Sequence, residues 1–186
     1  KRVSVSSVQP NYPAKSRGPT ALRVGILASQ PSQYLSPRLR ALDSRVDLHV
    51  FCARNPNPEQ QTAGGFGFEF EWDTDLFSGY EYTFLDNVAE VTDAREGNFF
   101  GCDTPELHEH ISADRFDAFV VNGWYLKSFW QAVWACRRAG IPVLARGDSQ
   151  LRAQHSWIKA GVKALVYRFI LRAFDGFLSV GQRFDA

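Results

Sequence analysis

Phe116-Asp117-Ala118-Phe119-Val120-Val121-Asn122-Gly123 sets the architecture of this chain, because the same phrase returns as Phe174-Asp175-Gly176-Phe177-Leu178-Ser179-Val180-Gly181. Each copy follows a helix-like stretch. Each has an Asp at the turn, then a short apolar run, then a Gly where the run stops. A brief, continuously apolar segment with such punctuation reads as a strand buried on both faces, which is the habit of a parallel sheet. In open α/β sheets, ligands gather beyond the carboxyl ends of the strands. The polar residues that follow each run are therefore the first candidates for function.

Segments of the same kind lie on either side. Arg23-Val24-Gly25-Ile26-Leu27-Ala28 reads as a first buried strand, and residues 29–36 form a polar loop. Pro37 to Leu42 begins a short helix, with Ser36 as N-cap and Pro37 at the first helical position. Residues 46–53 and 80–85 read as two further strands. Thr104-Pro105-Glu106 opens another helix by the same N-terminal logic. Residues 126–139 repeat apolar side chains at helical spacing, and Gly140 and Pro142 stop them. A short strand at 142–145, a longer helix at 157–173 and a strand at 176–180 complete the pattern. Strands alternating with helices imply a Rossmann-like α/β fold, a doubly wound parallel sheet with helices on both faces.

One domain, residues 21–186, accommodates all of this. Residues 1–20 are rich in Ser, Pro and basic side chains, show no periodicity and read as a flexible arm. Between the second and third strands, Phe66 to Asp73 alternates strictly. Extended, it puts Phe68, Phe70 and Trp72 on one face and Glu69, Glu71 and Asp73 on the other, as a half-exposed segment over the core.

Composition removes several function classes. Twenty-one basic against twenty acidic residues leave a net charge of +1, so the electrostatic case for a nucleic-acid partner is missing. No apolar run approaches the roughly 20 residues that cross a bilayer. Cys52, Cys102 and Cys136 are widely spaced and form no C-x-x-C pair, which fits packing roles in a reducing, cytoplasmic setting. His108 and His110 point apart on a helix and make no metal set. Methionine is absent even at residue 1, and the chain stops soon after a strand, so it reads as a piece of a longer protein.

Four strand ends carry polar residues or glycine: Ser29-Gln30, Asn122-Gly123, Arg146-Gly147-Asp148-Ser149 and Gly181-Gln182. Parallel strands bring such ends to one rim, so a shared cleft is expected, against the blander reading that loops are polar anyway. Arg146 can hold a phosphate or carboxylate through two parallel hydrogen bonds, Gly147 permits close backbone approach, and Asp148 can orient the arginine. The competing role for Arg146 and Asp148 is an internal ion pair that ties the loop down. Ser29 to Tyr34 occupies a phosphate position of nucleotide-binding folds. The G-x-G-x-x-G fingerprint is absent, and Gly64-Gly65-Phe66-Gly67 joins no strand to a helix, which disfavours a dinucleotide oxidoreductase.

Asp73-Thr74-Asp75 has the spacing of a divalent-metal clamp, but the pattern is too common to carry weight, and no metal is expected. Helix 157–173 places Lys159 and Lys163 roughly opposite Arg168 and Arg172. That spread favours a packed helix over a basic membrane-binding stripe, and leaves a peripheral seat at a membrane surface as the lesser expectation.

Taken together, these pieces resemble the amino-terminal half of family 4 glycosyltransferases, retaining enzymes of the two-domain GT-B architecture. The resemblance runs through Ser29 to Pro37, Gly65-Phe66-Gly67 to Asp73, Leu76-Phe77-Ser78-Gly79-Tyr80 and Phe84-Leu85-Asp86-Asn87. It continues in order through 116–123, 143–149 and 175–181. It implies a Rossmann-like domain that mainly binds the acceptor, a glycan or lipid-linked molecule. A second, carboxyl-terminal domain would hold the nucleotide-sugar donor, and its absence from these residues would leave the chain inactive alone. On this resemblance Asn122, Gly123, Trp124, Arg146, Gly147, Asp148 and Ser149 line the acceptor side, with Trp124 stacking on a sugar ring. Ser29, Gln30 and Gln33 face the donor diphosphate. The nucleotide sugar is a substrate, and no cofactor or metal is implied. The loops where members often carry a His hold Asn122-Gly123-Trp124 and Arg146-Gly147-Asp148 here, so no catalytic His is carried over. The alternative is a non-catalytic flavodoxin-like ligand-binding or regulatory domain, since the same sheet serves both.

Overall fold

The computed structural model describes residues 21–54, 75–90, 98–111, 116–147, 167–168 and 170–178. Among them, β1 (Arg23–Ala28), β2 (Asp47–Cys52), β3 (Glu81–Phe84), β4 (Ala118–Val121), β5 (Val143–Arg146) and β6 (Gly176–Leu178) form one sheet. Every pairing is parallel. The helices are α1 (Ser36–Asp43), α2 (Leu107–His110) and α3 (Lys127–Ala139). Tyr167, Arg168, Ile170 and Leu171 are also helical.

The spatial order of the strands is β3-β2-β1-β4-β5-β6. The chain therefore builds outward from β1 in one direction, then returns to β1 and builds outward in the other. The crevice between β1 and β4, where that reversal happens, is the switch point at which such sheets bind ligands. This is the Rossmann-like α/β arrangement expected from the sequence.

Alternation along the strands feeds two cores. Leu27, Phe51, Phe119 and Val121 face one side, where Leu107 of α2 and Phe129, Ala132, Val133 and Cys136 of α3 cover them. Ile26, Val50, Cys52 and Val120 face the other side, against Leu39 of α1. Helices thus lie on both faces. Each apolar residue that leaves water contributes to this burial, about 1.5–3 kcal/mol for a large side chain.

The repeated phrase has a mechanical meaning. Asp117 accepts a hydrogen bond from the Arg23 amide at 2.8 Å, and Asp175 accepts one from the Val143 amide at 2.9 Å. The amides of Asp117 and Asp175 in turn donate to the carbonyls of Arg23 and Val143, each at 2.8 Å. Each Asp therefore pins the start of its strand to the start of the neighbouring strand, β4 to β1 and β6 to β5. This reciprocal pair fixes the register that aligns the far ends.

Two expected helix caps are corrected. Ser36 is inside α1 and fully buried, and Leu35 takes the N-cap position with no side-chain capping bond. The Ser36 hydroxyl donates instead toward the Leu76 carbonyl at 2.8 Å, a carbonyl that Tyr80 also reaches. Thr104 likewise caps nothing: its hydroxyl is buried and finds no hydrogen-bond partner among the described residues. Glu106 takes the N-cap position of α2, which is a single turn. By contrast α3 ends as expected, with Gly140 in the left-handed region at φ +70°. The segment 66–73, most of helix 157–173, the end of the last strand and residues 1–20 lie outside the described residues.

Candidate functional site

Register brings the strand tips together. Leu27 stands opposite Val121, and the Asn122 amide donates to the Leu27 carbonyl at 3.1 Å. Asn122 therefore emerges beside Ser29. On the other side of β4, Val121 is paired with Ala145, so Arg146 emerges one step further along the same rim. Three chain segments, remote in sequence, end within one crevice.

That crevice is a cleft of about 280 Å³. The tip of β1 lines it with Ala28, Ser29 and Gln30. The following loop adds Ser32, Tyr34 and Leu35, and α1 adds Arg38. Asn122 and Arg146 close it from β4 and β5. Its described lining holds two guanidinium groups, hydroxyls and carboxamides, and no carboxylate. Such a surface offers many hydrogen-bond donors.

The start of α1 adds little to this through its backbone. The Ser36 amide donates to the Ser32 carbonyl, Pro37 has no amide hydrogen, and the Arg38 and Leu39 amides both donate to the Leu35 carbonyl. The Ser32 hydroxyl also accepts from the Leu35 amide at 3.2 Å. The donors that a helix N-terminus ordinarily offers to an anion are already occupied here. The amides at the start of α1 are therefore not the groups that would meet a charge entering the cleft.

The sequence candidates divide accordingly. Ser29, Gln30, Asn122 and Arg146 meet in the cleft, so the residues expected on the donor side and those expected on the acceptor side share one small cavity. Gln33 is half-buried and is not among the lining residues. Gly147 is half-buried directly after β5, while Asp148 and Ser149 lie outside the described residues, as do Gly181 and Gln182. Asp75 is described but Asp73 is not, and no group of His, Cys, Asp and Glu able to hold a metal occurs among the described residues.

Trp124 goes elsewhere. Gly123 has φ +116°, a region that only glycine enters without strain, and a side chain there would crowd the Tyr125 ring at 3.1 Å. Beyond this turn Trp124 packs against the larger core and meets Tyr167 edge-to-face, with ring centroids 6.1 Å apart. Its carbonyl accepts a hydrogen bond from the Trp130 indole at 2.9 Å. The aromatic ring that does line the cleft is Tyr34, which is 72 % exposed.

Arg38 is the functional candidate that sequence reasoning misses. In sequence it is an ordinary solvent-facing charge on a short helix. Its position in the first turn after the β1 loop is the one available signal, because that turn abuts the strand tips in any doubly wound sheet.

No protein-family model, curated protein or solved structure matches the chain. Among the described residues no helix is long and apolar enough to cross a membrane.

Proposed function

We propose that this chain is the acceptor-binding domain of a retaining glycosyltransferase that moves a sugar from a nucleotide-sugar donor to an acceptor hydroxyl. One observation carries the reading: Ser29, Gln30, Asn122 and Arg146 converge on a single cleft at the switch point of the sheet. The lining suits a sugar. Carboxamides of Gln30 and Asn122 each present a donor and an acceptor, which matches adjacent hydroxyls of a pyranose. The Tyr34 ring offers an apolar face for sugar C–H groups. The three free, buried cysteines fit a reducing cytoplasm.

On this reading the donor's half of the site belongs to a second domain of similar build. There, positive groups stabilise the departing nucleotide diphosphate, which is charge stabilisation in a closed cleft. Residues 1–186 alone then bind acceptor and transfer no sugar. The test is calorimetric titration of the chain with simple glycosides and with nucleotide sugars. Glycoside binding that weakens in Arg146→Ala, with the circular-dichroism spectrum unchanged, supports the proposal. Absence of any carbohydrate binding, or unfolding of Arg146→Ala, returns Arg146 to a structural role and removes the proposal's basis.

A further inference from the structure

We infer that the β4–β6 half of the domain is a docking face for an anionic lipid surface: Arg138, Arg168 and Arg172 meet the headgroups, and Trp134, Leu171 and Phe177 enter the bilayer interface. The inference stands apart from the transferase reading and needs no ligand in the cleft.

The net charge of +1 hides a division along the chain. Residues 21–117 carry 17 acidic and 7 basic side chains, whereas residues 118–178 carry 9 basic and 2 acidic. The described residues alone follow the same division, 10 acidic to 5 basic before β4 and 6 basic to 1 acidic from β4 onward. Strand order turns this into a separation in space, because β3, β2 and β1 form one half of the sheet and β4, β5 and β6 the other. The centres of the two halves are three strand spacings apart, about 14 Å. Charges at physiological salt are screened over about 8 Å. A surface lying beside β6 therefore senses the basic half more than the acidic one. Charge asymmetry between the halves of a chain points to a partner of opposite sign.

The outer surface of the basic half favours lipid over other anions. α3 packs on β4 and β5 and carries no acidic residue. Its Arg137 donates to the carbonyls of Ala173 and Arg172 at 3.2 Å and 3.3 Å and pairs with Asp175 at 3.2 Å, which lays residues 172–175 against the end of α3. Asp175, the one acidic residue described on this half, is thereby matched, and it also accepts from the Val143 amide. Arg138, Arg168 and Arg172 are exposed. So are three bulky apolar side chains, Trp134 at 69 %, Phe177 at 51 % and Leu171 at 38 %. Trp134 stands one turn before Arg138 on the same face of α3, and Leu171 directly precedes Arg172. The Phe177 ring meets Phe174, which meets Trp130 of α3, so β6 and α3 share this side. Tryptophan and aliphatic groups set among arginines make an interfacial membrane surface: the ring sits at headgroup depth while the cations face anionic lipid. A nucleic acid would engage the arginines and stack on the rings, but it offers nothing to an exposed leucine.

The test is sedimentation of the chain with vesicles at low and raised salt. One set is phosphatidylcholine alone, and the other an equal mixture of phosphatidylcholine and phosphatidylglycerol. Binding to the mixed vesicles and not to the neutral ones is expected, and raised salt should weaken it. Each arginine at an anionic surface contributes about a fivefold gain, so the double variant Arg138→Gln, Arg172→Gln should bind about 25-fold more weakly. Arg168→Gln reads the same loss of about fivefold independently. Trp134→Ala should weaken binding at both salt concentrations, because its share is not electrostatic. Arg45→Gln removes an exposed charge from the acidic half and should leave binding unchanged. Circular dichroism and urea midpoints verify that each variant is folded. No binding to the mixed vesicles, equal binding to both sets, or a loss in Arg45→Gln as large as in the double variant overturns the proposal. The chain is also titrated with a DNA duplex and followed by light scattering. Tighter binding to DNA than to vesicles, lost in the double variant, assigns the face to nucleic acid. Self-association lost in that variant assigns it to the acidic half of a second copy. Either result overturns the lipid assignment, and none of these outcomes alters the carbohydrate titration that tests the cleft.

Discussion

Gly25→Ala should be among the most damaging small substitutions in this protein. Gly25 of β1 is paired with Phe119 of β4. A Cβ at Gly25 would stand 2.4 Å and 2.5 Å from two atoms of the Phe119 ring, and 3.3 Å from Phe116. Contact at ordinary van der Waals distance is about 3.5–4 Å, so the ring would have to retreat by about 1 Å. It has little room to do so. Phe119 is fully buried, stacks on Phe51 with centroids 6.0 Å apart, and meets Phe116 edge-to-face at 5.8 Å. Overpacking of a filled core costs about 1–3 kcal/mol, and the rigid neighbours argue for the upper part of that range. With a urea slope of about 2 kcal/mol/M, the unfolding midpoint should fall by about 1 M or more. Urea unfolding followed by tryptophan fluorescence reads this directly. Phe119→Leu should relieve the clash, so the double variant is expected to be more stable than the two single effects predict when added. A Gly25→Ala protein within about 0.5 kcal/mol of the parent, or a strictly additive cycle, would refute the β1–β4 adjacency on which the cleft depends.

The Asp75 carboxylate is held down to about 2 by the Ser78 hydroxyl and by the Phe77 and Ser78 amides, both at 3.0 Å. Its contribution is therefore fully present above the unfolded carboxyl value of about 4 and is lost as pH falls through about 2; an NMR titration midpoint near the unfolded value would contradict this turn. Burial pushes the Cys52 and Cys136 thiols up to about 12, so both should resist iodoacetamide in the folded protein and react only on unfolding. Fast alkylation without loss of structure would count against that burial. At Asp103, burial raises the carboxyl, but the Lys127 ammonium at 2.6 Å and the Gln131 amide at 2.7 Å outweigh it and leave it below its usual value. Lys127→Ala should cost about 0.5–1 kcal/mol in urea unfolding and raise the Asp103 titration midpoint; no change in either would show the pair to be idle.

The sheet is legible in the sequence because its strands are short apolar runs with clear punctuation. Ala118–Val121 is framed by Asp117 and Gly123, and Val143–Arg146 by Pro142 and Gly147. Pattern alone shows where such strands begin and end. It also puts Ser29, Gln30, Asn122 and Arg146 on a common rim, because parallel strands of matched register leave little choice. What it does not show depends on contacts remote in sequence. Ser36 has the residue type of a cap, but Leu76, forty residues away, claims its hydroxyl. Trp124 has the place of a sugar platform, directly after Asn122 and Gly123. The left-handed turn at Gly123 and the distant Tyr167 ring, which take it elsewhere, are not visible in local sequence. Arg38 escapes notice for the converse reason: an arginine on a short helix resembles any solvated charge until the helix is docked against the strand tips.

Amide chemical-shift mapping with a glucose phosphate tests most directly whether β1, β4 and β5 end in one binding site. Ser29, Gln30, Asn122 and Arg146 should shift together along a single saturation curve, with Tyr34 and Arg38 following, and residues at the opposite rim such as Arg23 and Asp117 should stay still. Shifts confined to one strand tip, or spread over both rims with unrelated affinities, would contradict a common cleft.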